Sequence, residues 1–243
     1  MIMCTKVVNL KPMLVLSTTV IFAGATLGQN AESILQKSRD TYSQMKSYTD
    51  NGQIVYEYGT SSEDKHTFST AFNRSPRHLL LDFHKQGGDN YVIWADPDAF
   101  HTWWKTTGQQ TDYPNPNNTP AINLSDYSTQ GAALKIPSLL YAKAFGAVML
   151  ALHDPELDGT EDVGGHHCHR IVGRLSDVYA ATQHEVNIRK ATVWIDTDSF
   201  LIRKMIEESK ASPGQRNRKI TSFEPQANPN IDDAKFKFTP PSS

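Results

Sequence analysis

Cysteine is nearly missing from this chain: two in 243 residues, Cys4 and Cys168. There is no C-x-x-C pair, which removes zinc-ribbon and thioredoxin-type chemistry. Neither sign of charge is in excess, with 24 basic and 26 acidic residues and a net charge of -2, so no electrostatic footprint for nucleic acid exists. No G-x-S-x-G elbow is present, and the serines near histidines are scattered, so no nucleophilic site is expected and the chain reads as a non-enzyme. Internal repeats and low-complexity tracts are absent as well.

The one long apolar run is N-terminal. "MIMCTKVVNLK" carries Lys6 and Lys11 and no acid, and "PMLVLSTTVIFAGA" follows as an apolar stretch of signal-peptide length. Ala23 and Ala25 form an A-x-A cleavage pattern, which predicts a signal peptide over 1–25 and a single mature domain over 26–243. No cysteine stands at the cleavage point to take a lipid anchor, and no transmembrane segment is expected in the mature chain. The protein is therefore expected in the periplasm or secreted. Removal of the two lysines makes it more negative by two charges, and leaves Cys168 without an intramolecular disulfide partner. A lone thiol in an oxidising compartment is best kept buried.

Asn30 is placed to cap a helix through "AESILQKSRDTYSQMKSY", with Ile34, Leu35, Tyr42, Met45 and Tyr48 on one stripe. "DNG" then switches the apolar period from helical to two. The runs "GQIVYEYG", "KHTFSTAFN", "RHLLLDFHK", "NYVIWAD" and "FHTWWKT", separated by turn residues, predict an antiparallel meander. A polar Pro/Asn-rich stretch, Thr107 to Ser128, reads as a loop and candidate gate. Its N-x-T at Asn117, with N-x-S at Asn73 and Asn123, matters only in a glycosylating host. Pro137 is placed to open a second, largely apolar helix, "PSLLYAKAFGAVMLALH", with Leu140, Ala144, Val148 and Leu152 on one stripe and Phe145 and Met149 beside it. Strands return with "HHCHRIVGRL", "QHEVNIRKATVWID", "FLIRKMIEES", "RKITSFEPQ" and "AKFKFTPP", the second and third forming a hairpin over "DTDS". The runs add up to about ten strands.

The segment "GGHHCHRIVG" looks like a metal site. Alternation along a strand puts His167 and His169 on one face and His166 and Cys168 on the other, which splits the four candidate ligands. A structural strand with Cys168 buried is the preferred reading. The alternative is a metal-binding envelope protein in which His167 and His169 find a third ligand in His153 or His184. "DPELDGTEDVGG" imitates a calcium loop, but Gly165 stands where the bidentate glutamate belongs, and a solvated turn is preferred.

The order of these features resembles the periplasmic lipoprotein-carrier superfamily, the LolA/LolB-like fold. The features are an N-terminal helix ending in "MKSYTDNGQ", strands, a buried helix, then "VWIDTDSFLIRK" and a terminal "FKFTPP". The likeness is closer to an uncharacterised periplasmic branch, in which a G-x-x-C-x-x-hydrophobic strand, here Gly165 to Ile171, precedes a W-I-D hairpin, here Trp194 to Asp196. The resemblance implies an α+β fold: a strongly curved antiparallel sheet, an incomplete barrel, closed on its concave side by helices. It also implies a lipid or other hydrophobic small molecule between sheet and helices, with no cofactor. Leu81, Phe83, Trp94, Trp103, Leu140, Phe145 and Met149 are the expected lining. The expected function is that of a non-catalytic carrier, with a scaffold that docks an envelope protein partner as a further alternative.

Overall fold

The computed structural model describes residues 30–59, 62–88, 90–114, 135–141, 152–178, 185–209 and 216–241. Helix α1 spans Ala31–Gln44, and its Asn30 cap accepts a hydrogen bond from the Ser33 N–H at 2.8 Å, satisfying a donor that the first turn leaves open. Six strands follow in sequence: β1 Ser47–Gly59, β2 Ser62–Arg74, β3 Arg77–Lys85, β4 Asn90–Ala95, β5 Ala99–Trp104 and β6 Gln110–Pro114. After α2, Lys135–Leu140, come β7 His153–Val163, β8 His166–Val178, β9 Glu185–Asp196, β10 Ile202–Glu208, β11 Arg216–Phe223 and the short β12 Gln226–Ala227.

All twelve strands belong to one open, curved antiparallel sheet, a half-barrel with the order β6-β5-β4-β3-β2-β1-β11-β10-β9-β8-β7 and β12 beside the start of β1. Two meanders are thus joined side by side. Their seam is the pairing of Gly52–Gly59 with Phe223–Arg216. Across it, Arg218 on β11 pairs with Glu57 of β1 at 3.1 Å, and within its own meander it reaches Glu208 of β10 at 3.2 Å.

Period-two alternation gives the sheet a helix-bearing face and an opposite face. The main core holds Ile34, Leu35 and Tyr42 of α1 and Ile136, Leu139 and Leu140 of α2. They share it with Phe68 and Phe72 of β2, Leu79, Leu81 and Phe83 of β3, and Ile171, Val193 and Met205 from the second meander. Arg74, at the end of β2, ties both helices down. Its guanidinium donates to the carbonyls of Met45 at 2.5 Å, Tyr42 at 3.2 Å and Leu140 at 3.0 Å. The Tyr42 carbonyl also accepts from the Met45 N–H at 3.4 Å, so Arg74 is its second donor. The Tyr42 hydroxyl in turn accepts from the Ile202 N–H at 3.1 Å, linking α1 to β10.

The opposite face carries two smaller clusters: Val92, Trp94 and Trp103 with Leu80 and Phe238, and Cys168, Trp194 and Ile206 with Val163 and Ile220. The C-terminal tail crosses the first of them. Phe238 lies 4.9 Å from the Trp94 ring and 5.5 Å from that of Trp103, while Phe236 stacks on His78 at 5.3 Å.

Several expectations are corrected. Helix α1 stops at Gln44, and Tyr48 reaches the same core from β1, with "DNG" inside that strand. Residues 110–114 of the expected loop form β6, and 115–128 lie outside the described residues. The acidic segment is strand β7 rather than a turn. Its carboxylates are held from β8 and β9: Asp154 by Arg174, Asp158 by Arg170, Glu161 by the Trp194 indole N–H and Asp162 by His167. "AKFKF" is a 3-10 turn at Asp233–Phe236 and an extended tail, because its two phenylalanines are used against His78 and the tryptophans instead of a neighbouring strand. Helix α2 begins at Lys135, two residues before Pro137, and Phe145 and Met149 lie outside the described residues. Among those residues, no helix is long and apolar enough to cross a membrane.

Gly52 sits at the seam between the halves. A Cβ there would stand 2.1 Å from Cζ of Phe68 and 2.6 Å from the Ser222 carbonyl oxygen, because the Phe68 and Phe223 rings pack over it edge to face at 5.9 Å. Gly52→Ala is expected to cost about 1–3 kcal/mol by overpacking, read as a lower midpoint in urea unfolding with an unchanged slope. Arg74→Met, which removes its bonds to the Tyr42, Met45 and Leu140 carbonyls, is expected to lower the same midpoint and to increase amide exchange in α1.

Candidate ligand-binding face

The helix-bearing face carries a rank of rings that crosses strand after strand. In register, Phe68 of β2 opposes Phe83 of β3, Phe83 opposes Tyr91 of β4, and Tyr91 opposes Trp104 of β5. Phe83 and Tyr91 stack at 4.8 Å, and Tyr91 and Trp104 lie 4.9 Å apart. The rank continues the other way through His66, 5.2 Å from Phe83, to Tyr56 of β1 at 4.9 Å. Lys219 of β11 sits over the Tyr56 ring at 5.7 Å, and its ammonium lies 3.9 Å from Glu207 of β10. Arg189 of β9 reaches the same buried carboxylate at 3.3 Å. The result is an aromatic wall with an ionic end.

The expected lining residues are divided by this geometry. Leu81, Phe83 and Leu140 lie together in the helix-bearing core. Trp94 and Trp103 lie on the opposite face under Phe238, since each is one residue out of phase with Ile93 and Trp104. Tyr56, His66, Tyr91 and Trp104 went unselected, although "HTFSTAFN" and "NYVIWAD" already alternate in the phase that places them here.

At the far end of this face, Asp50 of β1 is almost fully buried. It accepts from the Tyr48 hydroxyl at 2.9 Å and from the Glu224 N–H at 2.8 Å. Burial pushes its carboxyl up to about 7 against those two donors. Burial likewise raises the phenols of Tyr42 and Tyr48 beside it. With these two bonds it links β1 to the segment that follows β11.

The "HHCH" segment is built into β8. His166 pairs with Asp196 at 2.9 Å, and His167 pairs with Asp162 at 2.9 Å. His169 points to the other chemistry: burial, with His167 and Lys37 adding to it, lowers its pKa. Cys168 is fully buried against Trp194 and Ile206, and burial pushes its thiol up to about 11, so it is an inert thiol at neutral pH. Asp196 accepts from the backbone of Asp198 and Ser199 and from Arg203. Burial opposes its charge, but these donors prevail and hold the carboxyl below its usual range. Among the described residues, no three His, Cys, Asp or Glu side chains converge on a metal position. His184 lies outside those residues.

Residues 31–243 match the family model DUF2092, described as a predicted periplasmic protein. The chain belongs to this family. That family description places it in the periplasm. Similar solved structures include the lipoprotein LppX of Mycobacterium tuberculosis, 12% identical over 83% of this chain and 98% of that one, with a TM-score of 0.44. A LolA superfamily protein from Nitrosomonas europaea is 12% identical over 86% and 98%, with a TM-score of 0.38. A MucA/MucB complex structure from Pseudomonas aeruginosa is 14% identical over 86% and 61%, with a TM-score of 0.44. No curated protein matches the sequence.

Asp50 sets a pH dependence. Its folded pKa, about 7, lies above the ordinary 3.8, so the folded state holds a proton that the unfolded chain has released. Its contribution is full below the unfolded value and is lost as pH rises toward 7, with a limiting slope of roughly 1.4 kcal/mol per pH unit. Glu224 raises the value and Arg203 lowers it, so neither changes the sign. Asp50→Asn is expected to remove this slope, seen as a wild-type-minus-variant stability difference that changes between pH 4 and pH 7. A difference that stays constant across that range would refute a protonated Asp50.

Proposed function

We propose that this is a non-catalytic periplasmic protein that binds or carries a lipid or another apolar molecule on its helix-bearing face. In this reading that face is the concave side of the half-barrel, closed by α1 and α2, in a single domain left after residues 1–25 are cleaved as a signal peptide. The observation that carries the proposal is the ring rank from Tyr56 to Trp104, continuous with Leu81 and Leu140. Ligand sites combine predominantly apolar and aromatic walls with a few placed polar groups, and this face has that composition. Affinity would come from apolar burial at roughly 25 cal/mol per Å². The buried, raised thiol of Cys168 and the structural pairing of His166 and His167 support a role without catalysis.

Native mass spectrometry of the protein taken from its own periplasm without detergent is expected to show a non-covalent lipid adduct, and a fluorescent fatty acid is expected to be displaced by added lipid. No adduct together with no displacement would overturn the carrier reading in favour of a scaffold that docks an envelope protein. Tryptophan emission separates the two faces. The ligand-induced change is expected to vanish in Trp104→Phe and to persist in Trp94→Phe, because only Trp104 stands in the rank.

A further inference from the structure

His66 is the polar group of the ring rank. It is 9% exposed, lies in β2 between the Tyr56 ring at 4.9 Å and the edge of Phe83 at 5.2 Å, and neither ring nitrogen has a hydrogen-bond partner among the described residues. Its strand phase, shared with Phe68 and Phe72, directs it to the helix-bearing face. Thr70 and Thr221 stand on the same face, 2% and 1% exposed, with hydroxyls that are equally unpartnered there. A buried imidazole or hydroxyl without a partner is expensive, so such groups on an apolar face mark positions where a ligand can supply the missing bond.

The chemistry at His66 is uncharged. Burial lowers its pKa, Lys85 opposite it in the register lowers it further, and Asp64 only partly offsets them, so the ring is neutral at physiological pH, both a donor and an acceptor. Tyr56 and Phe83, the rings packed against it, bring no charge. A carboxylate seated here would give up its hydration for a neutral ring, whereas a hydroxyl or ester carbonyl loses far less.

Resting on the carrier reading, we infer that His66 is the hydrogen-bond anchor for the head of an uncharged amphiphile. Its hydroxyl or carbonyl oxygen meets the imidazole, and its apolar chain runs along the ring rank toward Leu81 and Leu140.

The test measures binding of three probes to the full mature protein at pH 8: 1-monooleoylglycerol, oleate and the hydrocarbon squalane. Monooleoylglycerol is expected to bind more tightly than oleate. His66→Phe is expected to weaken monooleoylglycerol binding about tenfold, the scale of one lost hydrogen bond, and to leave squalane binding unchanged. Should that variant not fold, His66→Leu takes its place, and His66→Gln, which keeps a donor and an acceptor, is expected to stay within about threefold of wild type. Unchanged monooleoylglycerol binding in His66→Phe overturns the anchor, and so does an equal loss for squalane. Tighter binding of oleate, lost in the same variant, overturns the uncharged class. A wild-type protein that binds none of the three and carries no lipid from its own periplasm overturns the carrier reading itself, a different failure.

Discussion

The guanidinium of Arg74 donates to three carbonyl oxygens at the two helices, those of Tyr42, Met45 and Leu140. Arg74 is the last residue of β2, a strand near the middle of the sheet. One side chain therefore fixes where both α1 and α2 lie relative to the strands. Phe72 lies beneath the same guanidinium at 5.2 Å, and neighbouring Arg77 covers the Tyr141 ring at 5.4 Å. Lysine could not reproduce this arrangement, since a compact ammonium lacks the planar fork that reaches three acceptors at once. With the helix ends held at this end of the face, Asp50, Tyr42 and Tyr48 are sealed from water, and the ring rank is the part of the wall farther along the strands.

The two faces of the sheet divide structural from proposed binding roles. On one, His66, Thr70 and Thr221 lack hydrogen-bond partners among the described residues and sit in an apolar wall, the feature expected of a surface that receives a ligand. On the other, Phe238 covers Trp94 and Trp103, and Glu161 satisfies the Trp194 indole. There the chain supplies its own cover.

Much of the fold was legible in the sequence because long strands declare their phase. Of the runs that became strands, β1, β2, β3, β8 and β9 are nine to thirteen residues long, and β3 alternates in burial along its length. What misled was local composition. Strand β7 is acidic and exposed along nearly its whole length, so no apolar period marks it; it exists because β8 supplies Arg170, Arg174 and His167 to its carboxylates. "FKF" alternates like a strand, yet the tail finds aromatic partners instead of a ladder. For the candidate site, the error was to choose by residue size rather than by phase. Trp94 and Trp103 are the larger side chains, but their neighbours Ile93 and Trp104 share the face of Leu81 and Phe83.

The seam between the meanders has a consequence for the order in which the half-barrel is assembled. Glu57 and Arg218, which meet across it, are 161 residues apart in sequence. A chain made from its N-terminus presents β1 early, and β11 appears only near the end of synthesis. Until then β1 is an unpaired edge with an apolar face, the kind of surface that invites other strands. The half-barrel cannot be completed piecemeal. Its central strand waits for nearly the whole protein to follow.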